Sequence, residues 1–173
     1  DADGIFYNLE RKTGEPIRRA TYASLIPLWS SIAPYAKGQD MIRRWLLNPK
    51  KLWAKWGVRT LSADDPSYNQ VNMIKPHSNW QGPVWPLVNV LASYILLDYG
   101  FKKEALRLAE TTARLVIADI QKTAGMHENY NAETGKPLAA PDFVSWNLLA
   151  GHLISNVEAD INPFRLSASA DKK

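Results

Sequence analysis

The chain has 173 residues, of which 46% are hydrophobic and 22% charged, and this composition is typical of a globular domain with one core of ordinary size. Its net charge is +4, but the basic residues occur as scattered pairs such as Arg18/Arg19 and Lys102/Lys103, which argues against a nucleic-acid-binding surface. Because the chain has no cysteine, disulfides, thiolate metal sites and cysteine nucleophiles are excluded.

The first third of the chain predicts a β-hairpin followed by two helices. In "GIFYNLERKTGEPIRRA", a short aromatic run, a Lys-Thr-Gly-Glu turn and a second strand at residues 16–18 predict the hairpin. Apolar residues in "TYASLIPLWSSIAPYA" recur near helical spacing, and Pro27 either kinks this helix or marks a late first turn. A second helix is predicted over about 40–48, with a short helical piece before Gly57.

The middle of the chain predicts a long loop and then a pair of helices. Residues 58–80 lack a helical period and are rich in turn formers, which indicates an irregular loop. The helix predicted over 86–99 is apolar nearly all round and should be buried on every side. A proline and an asparagine break its apolar run below the roughly 18 residues of a bilayer span, so we expect no membrane partner. The next helix, 102–123, has an apolar stripe that ends at Ile120 and should lie outside.

The C-terminal part predicts a second long loop over 124–142 and a fifth, strongly apolar helix over 143–160. We expect one domain over 1–165 and a frayed tail over 166–173. Each long loop leads into an inner helix, so the two loops should meet at one end of the fold. There is no clear internal repeat. The chain starts at Asp1 without Met, and we expect the natural N-terminus to lie upstream.

The segment "HSNWQGPVWPLVN", residues 77–89, sets two tryptophans and several amides around a glycine and two prolines. One interpretation is a helix start, in which proline restricts φ, glycine turns the chain and tryptophan covers the end of the core. The other is a sugar-binding rim, in which an indole ring lies on pyranose C–H groups while amide side chains bind hydroxyls. Taken alone, the loop favours the helix start.

The second loop contains "MHENYN", in which Glu128 stands among amides and aromatic residues. Such a carboxylate can activate a water molecule, although a loop glutamate is more often a solvated surface charge. A metal site from His77, His127 and Glu128 is disfavoured because adjacent His and Glu match no helical ligand pair and there is no HExxH. No G-x-S-x-G segment supports a serine nucleophile. We therefore expect neither a metal nor a cofactor.

Several segments occur in the order found in one known family. "NWQGPVWPLVN", "HENYNAETGKP" and "DFVSWNLLAGHLI" resemble the C-terminal part of the (α/α)6-barrel glycosidases of glycoside hydrolase family 63. That family includes processing α-glucosidases and mannosylglycerate hydrolase-like enzymes, with trehalases as more distant relatives. The opening "DADGIFYN" is similar to a D-G-F-F-Y strand in the middle of that barrel. The resemblance covers residues 1–154 and implies an all-α fold, here a partial (α/α)6 toroid of αα-hairpins with a short N-terminal β-hairpin.

The resemblance also implies an inverting α-glycosidase that acts on α-linked glucosides or mannosides. The Glu of the family's E-x-Y-x-x-x-T-G segment is its general base, and it corresponds to Glu128. The family's Trp-Arg/Gln-Gly-Pro-x-Trp segment lines the sugar pocket. By this correspondence the substrate-binding residues are Trp80, Gln81, Gly82 and Trp85, with Tyr130, Trp146 and His77 beside them. Gln81 stands where the family commonly has Arg, which leaves the subsite contacts open.

Nothing in the chain matches the family's general acid, an Asp in an upstream Gly-Trp-Asp-like segment. We therefore expect activity to require the N-terminal half of the catalytic domain or another chain, with an oligosaccharide or a small glycoside as substrate. The alternative hypothesis is a non-catalytic carbohydrate-binding or scaffolding module that keeps the aromatic pocket and lacks the acid. A parent gene that encodes an upstream helical half with that Asp would favour the enzyme. Glucose or mannose specificity and the cellular compartment stay open.

Overall fold

The computed structural model describes residues 3–73, 75 and 78–165. His77 and the predicted tail over 166–173 lie outside the described residues. In this part of the chain the fold is helical, with two antiparallel hairpins of two residues per strand. Among the helices described, none is both long and apolar enough to cross a bilayer.

The predicted N-terminal hairpin is present. It consists of β1 (Asn8–Leu9) and β2 (Pro16–Ile17), which pair antiparallel. The carboxylate of Glu10 holds the connecting turn by accepting hydrogen bonds from the backbone N–H groups of Lys12 at 2.8 Å and Thr13 at 2.6 Å. This hairpin is local, and the turn chemistry alone was sufficient to predict it.

The first predicted helix is shorter than its apolar spacing indicated. A 3₁₀ turn (Tyr22–Leu25) leads into α1 (Ile26–Trp29), and Pro27 lies in the first turn of α1, where it interrupts no helical hydrogen bond. Ser31 adopts a left-handed conformation with φ of 57° and ends the helical segment. The apolar residues beyond it therefore belong to a loop, not to the helix.

The second predicted helix begins earlier, and the short helical piece after it is wrong. α2 (Tyr35–Met41) continues into a π-helical turn (Ile42–Leu46). The predicted piece before Gly57 is a second hairpin of β3 (Trp53–Ala54) and β4 (Gly57–Val58). Gly57 has a φ of +139°, which is incompatible with a helix and is open mainly to glycine.

The two central helices agree closely with their predicted bounds. α3 (Pro86–Asp98) is buried along most of its length, and α4 (Lys102–Thr123) packs along it as an amphipathic outer helix. The three-residue connection 99–101 makes the pair an αα-hairpin. The buried stripe of α4 ends differently from the prediction, because Asp119 is 4% exposed while Ile120 is 44% exposed.

The C-terminal apolar segment forms two short helices in place of one. A 3₁₀ helix (Trp146–His152) is followed by α5 (Leu153–Glu158), which packs against α3 and α4. Gly151 falls just before the point where the helix type changes, and glycine weakens a continuous helix. Apolar periodicity alone could not distinguish these short helices from one long helix.

The two long loops meet, as the sequence predicted. Isolated β-bridges link Arg59 to Val84, Val84 to Tyr130 and Tyr130 to Pro137, so four short stretches of chain lie side by side next to the start of α3. The main hydrophobic core lies under these loops and includes α3, α4 and α5. A helical base thus supports two long loops joined by backbone bridges, an arrangement in which binding residues are commonly placed.

Candidate functional site

Asn79 fixes the loop that precedes α3. It is 2% exposed, and its Oδ1 accepts a hydrogen bond from the backbone N–H of Gln81 at 2.8 Å. Its Nδ2 donates to Asn69 Oδ1 at 2.7 Å, and its backbone carbonyl accepts from Trp85 Nε1 at 3.0 Å. Trp80 therefore sits in a segment that is held from both sides.

Gly82 is the tightest point of the same loop. It has a φ of +149°, and a Cβ there would lie 2.3 Å from the backbone oxygen of Asn69 and 2.8 Å from the ring of Tyr68. Its N–H donates to Thr60 Oγ1 at 3.1 Å, and that hydroxyl donates to the carbonyl of Pro83 at 3.0 Å. Residue 82 must therefore be glycine, because both its φ and its close approach to Asn69 exclude a Cβ atom.

Aromatic rings form a row across the site. The ring centroids of Tyr22 and Trp80 are 4.9 Å apart, those of Trp80 and Trp85 are 3.6 Å apart in a stacked pair, and those of Trp85 and Trp146 are 6.1 Å apart. Phe143 continues the row at 4.9 Å from Trp146. Trp85 is 1% exposed and supports the row from inside, whereas Trp80 is half-buried and keeps accessible surface. The structure thus brings three predicted pocket residues together.

Glu128 lies in the loop after α4 and is half-buried. Val84 and Tyr130 exchange both backbone N–H···O hydrogen bonds, each at 2.8 Å. The hydroxyl of Ser78 donates a hydrogen bond to Oε2 of Glu128. These contacts place the carboxylate of Glu128 against the loop that carries Trp80. The two motifs are far apart in the sequence and form one site in the fold.

A buried carboxylate on α4 holds the residues on both sides of Glu128. Oδ2 of Asp119 accepts hydrogen bonds from the backbone N–H of His127 at 2.8 Å and from the hydroxyl of Tyr130 at 2.9 Å. The Nδ1 atom of His127 lies 2.9 Å from the same oxygen, and because a carboxylate only accepts, this nitrogen carries the proton. Burial, and then the hydrogen bond and charge of Asp119, raise the pKa of Tyr130 above its ordinary value, so its hydroxyl remains a donor.

Sequence reasoning missed Asp119, although a signal was present. Thr112, Val116 and Asp119 follow one another at helical spacing and are all buried. An acidic residue on the apolar stripe of an amphipathic helix requires hydrogen-bond partners in the core. Asp119 occupies such a position on α4, and this indicates a buried polar network.

A second network holds the far end of the Glu128 loop. Arg59 is 6% exposed and donates to the carbonyls of Pro49, at 3.0 Å, and Trp53. Its Nη2 lies 2.9 Å from Oε1 of Glu133, which also accepts from the hydroxyl of Tyr68 at 2.6 Å. Partial burial alone would raise the pKa of Glu133, but the hydrogen bonds from Tyr68 and Arg59 and the charge of Arg59 hold that pKa below its ordinary value. No pattern in the sequence indicated this network.

Some buried polar atoms near Glu128 have no partner among the described residues. They include both amide atoms of Asn129, Nε1 of Trp146 and Oδ1 of Asn147. The Nδ2 of Asn147 donates to the carbonyl of His127 at 2.7 Å, which ties the 3₁₀ helix to the loop. Unpaired buried polar groups are costly, so these atoms keep unused hydrogen-bonding capacity beside the Glu128 loop.

The remaining predicted site residues have distinct placements. Gln81 is exposed, and its Oε1 accepts from Asn69 Nδ2 at 3.0 Å. The hydroxyl of Tyr130 faces Asp119, so this residue contributes to the frame of the site. His77 lies outside the described residues. Within the described ranges, no group of three His, Cys, Asp or Glu side chains is arranged to hold a metal ion.

Comparison with known proteins identifies the family. The family model described as "Mannosylglycerate hydrolase MGH1-like glycoside hydrolase domain" matches residues 1–146. The chain belongs to this family. Its similarity to glycoside hydrolase family 63, inferred above from the two motifs, is thereby confirmed. The family is one of glycoside hydrolases that act in carbohydrate metabolism.

Individual relatives agree with this assignment. Mannosylglycerate hydrolase MGH1 from Selaginella moellendorffii is 28% identical over 135 residues, which cover 76% of this chain and 24% of the relative. The solved GH63 mannosylglycerate hydrolase from Thermus thermophilus in complex with Tris is 25% identical, with a TM-score of 0.68, over 90% of this chain and 34% of that chain. The same enzyme has been solved with D-glycerate and with glucose.

A more distant structure shares the fold. Neutral trehalase Nth1 from Saccharomyces cerevisiae has a TM-score of 0.63 at 20% identity over 93% of this chain and 29% of that chain. The structural neighbours from GH63 and the trehalase are (α/α)6-barrel enzymes. The chain spans about a quarter to a third of the length of these three relatives.

Proposed function

We propose that residues 1–165 are the C-terminal part of one (α/α)6 catalytic domain and that this domain is an inverting α-glycosidase with Glu128 as its general base. One observation carries the proposal: the paired hydrogen bonds between Val84 and Tyr130 bring the Glu128 loop onto the tryptophan loop. A carboxylate beside an aromatic platform supplies a candidate base next to a surface on which a sugar ring can stack. Family membership supports the same conclusion.

In an inverting glycosidase, one carboxylate removes a proton from water while a carboxylic acid on the opposite face protonates the leaving oxygen, and the two groups lie roughly 6.5–9.5 Å apart. Glu128 takes the first role. Ser78 donates to its Oε2, which orients the carboxylate and leaves Oε1 to accept the proton from water. The acid comes from a part of the domain outside these residues. The chain by itself is therefore inactive in hydrolysis.

The sugar lies on Trp80, the ring in the row that combines stacking with accessible surface. Gln81, Trp146 and the neighbouring amides bind its hydroxyl groups, and Gly82 and Trp85 hold the platform in place. The family name and the D-glycerate and glucose complexes of the Thermus enzyme make a small α-mannoside such as mannosylglycerate the first substrate to test. A small α-glucoside is the second, because the residues above do not discriminate between the two sugars.

An open apolar groove supports the requirement for a further part of the barrel. The groove has a volume of about 670 Å³ and is lined by Tyr94, Trp146, Leu148 and Phe164 among others. Leu148 is 62% exposed. Apolar surface of this extent is usually covered by another element or chain. We propose that the remaining helices of the toroid cover it.

The stereochemistry of the product tests the role of Glu128. The assay uses this chain together with the remainder of its catalytic domain, here called the complete domain. NMR of the first-formed sugar from α-mannosylglycerate, or from the α-glucoside, should show the β-anomer. If the α-anomer forms first, the reaction proceeds with retention and Glu128 is not the base of an inverting mechanism.

Substitution of the carboxylate is the second test. Glu128→Gln in the complete domain should lower kcat by roughly 10²–10⁴-fold while substrate binding is largely retained, because Gln keeps the size of the side chain. The matched control is Glu110→Gln on the exposed surface of α4, where Glu110 pairs with Arg114 at 3.7 Å, and this variant should keep kcat within about threefold. Equal activity of the two variants would contradict the proposal.

Substitution of the platform separates binding from chemistry. Trp80→Ala should weaken substrate binding by roughly 1–3 kcal/mol, which corresponds to an increase in KM or Kd of about 5–150-fold. If the complete domain binds the sugar through Trp80 but hydrolyses none of these α-glycosides, the non-catalytic carbohydrate-binding module is the correct interpretation.

A further inference from the structure

We infer that Asp119 on α4 is a positioning residue for the general base, an inference that rests on the proposed role of Glu128. Asp119 does not touch the proposed reaction centre. Its carboxylate is 1% exposed and belongs to a helix on the outer layer of the described fold. Its contacts nevertheless converge on His127 and Tyr130, which lie one position before and two positions after Glu128.

The carboxylate of Asp119 binds the loop on both sides of the base. The backbone N–H of His127 donates to Oδ2 at 2.8 Å, and its ring nitrogen lies 2.9 Å from the same atom. The hydroxyl of Tyr130 donates to Oδ2 at 2.9 Å. One residue on the N-terminal side of Glu128 and one two positions after it are thus attached to a single oxygen. This restricts both the position and the rotation of the Glu128 backbone.

The same contacts link the base to the tryptophan loop. Tyr130 is bound to Asp119 through its hydroxyl and to Val84 through both backbone groups. Val84 immediately precedes Trp85, the ring stacked on Trp80. Asp119 therefore holds the Glu128 loop on one side while Val84 holds it on the other. The distance between the carboxylate of Glu128 and the sugar platform depends on both attachments.

Asp119 accepts hydrogen bonds from several donor groups at once. Three donor groups converge on Oδ2, and Thr123 Oγ1 donates to Oδ1 at 3.1 Å. Asparagine keeps one oxygen for the three donors and replaces the other with an amide that can donate only toward the Thr123 hydroxyl, whereas alanine would leave every donor unpaired in a buried site. With its oxygens occupied in this way and shielded from solvent, Asp119 is not itself the missing acid of the reaction.

The test compares Asp119→Asn and Asp119→Ala with Thr112→Ala in the complete domain. Thr112 is a matched control, because it is fully buried on the same face of α4 two turns earlier and its hydroxyl donates to Leu108 O at 2.8 Å. All three variants should be less stable to heat. Turnover is measured per folded domain, at a temperature well below the lowest Tm, so that loss of stability does not enter kcat.

We expect Asp119→Ala to lower kcat by roughly 100-fold, since a misplacement of the base by about 1 Å has an effect of this size. KM should stay within about threefold, because Asn79 and Thr60 hold the tryptophan loop independently. Asp119→Asn should lie between Asp119→Ala and wild type, because it retains one acceptor. Thr112→Ala should keep the kcat of the wild type.

Two outcomes would overturn the inference. If the Asp119 variants and Thr112→Ala have the same kcat, Asp119 serves stability alone. If KM rises in parallel with the fall in kcat, the whole pocket has been disturbed and the specific effect on the base is refuted. Glu128→Gln in the same series separates a failure of this inference from a failure of the proposed role of Glu128. A large loss in Glu128→Gln with normal Asp119 variants refutes only this inference, whereas a normal Glu128→Gln refutes the proposed function on which it rests.

Discussion

Gly82 allows the backbone geometry of the tryptophan loop to be tested quantitatively. Gly82→Ala introduces two separate costs. The φ of +149° is a region that residues with a side chain rarely adopt, which contributes roughly 1–3 kcal/mol. The new Cβ would lie 2.3 Å from the backbone oxygen of Asn69, so the two strands of the loop must separate, and overpacking of this kind adds roughly 1–3 kcal/mol.

The expected total is a loss of roughly 2–6 kcal/mol in the free energy of unfolding, or a fall of roughly 4–24 °C in Tm for a domain of this size. Gly14→Ala is the matched control. Gly14 also has a positive φ, of +73°, but no described atom lies within 4 Å of its Cβ position. In that variant the free energy of unfolding should fall only by the cost of the backbone conformation, roughly 1–2 kcal/mol.

Urea unfolding followed by circular dichroism measures both variants. The difference between them reports the steric contribution at Gly82 together with the larger conformational cost of its φ. If Gly82→Ala is no more destabilising than Gly14→Ala, the close approach to Asn69 is not a constraint and the account of this loop is wrong. In the complete domain, Gly82→Ala should also raise KM, because displacement of the loop moves Trp80.

Three further predictions concern the networks around the site. Tyr130→Phe should lower the free energy of unfolding at neutral pH by about 1.5–3 kcal/mol, because Asp119 loses a buried donor. The pKa of Tyr130 is raised above its ordinary value of 10.0, so the difference in unfolding free energy between wild type and Tyr130→Phe should be constant below about pH 9. Urea titrations above pH 10 should show this difference shrinking, and a difference that grows with pH would refute the contact. The pKa of Glu133 is lowered by the hydrogen bonds from Tyr68 and Arg59 and by the charge of Arg59. The difference in unfolding free energy between wild type and Glu133→Gln should therefore be present at neutral pH and vanish as the pH falls below about 4.5. A difference that persists at pH 2 would contradict the ion pair. Trp85→Ala should cost about 3–5 kcal/mol in urea unfolding, since it removes a ring that is 1% exposed, and a cost below about 1 kcal/mol would show that this ring is not part of the core.

Local features of the chain could be predicted from the sequence alone. The N-terminal hairpin follows from its turn residues, and the bounds of α3 and α4 follow from Pro86, from Gly100 between the helices and from the apolar stripe of α4. The candidate site was predicted in outline because Trp80, Trp85 and Glu128 lie in segments with the composition and order of a known family. These signals depend on neighbours within a few residues, which is the range over which propensity and periodicity act.

The tertiary structure decided what depends on contacts between distant residues. The segment before Gly57 has helical composition and forms a strand because of the backbone geometry at Gly57 and its pairing with Gly57–Val58. Ile120 fits the apolar stripe better than Asp119 by hydropathy, yet Asp119 is the buried residue because His127 and Tyr130 supply its donors. A buried carboxylate is tolerated only where such partners converge, and their convergence is a property of the packed chain. The sequence thus determined which segments carry the candidate chemistry, and the packing of α4 against the two loops determined how they are held together.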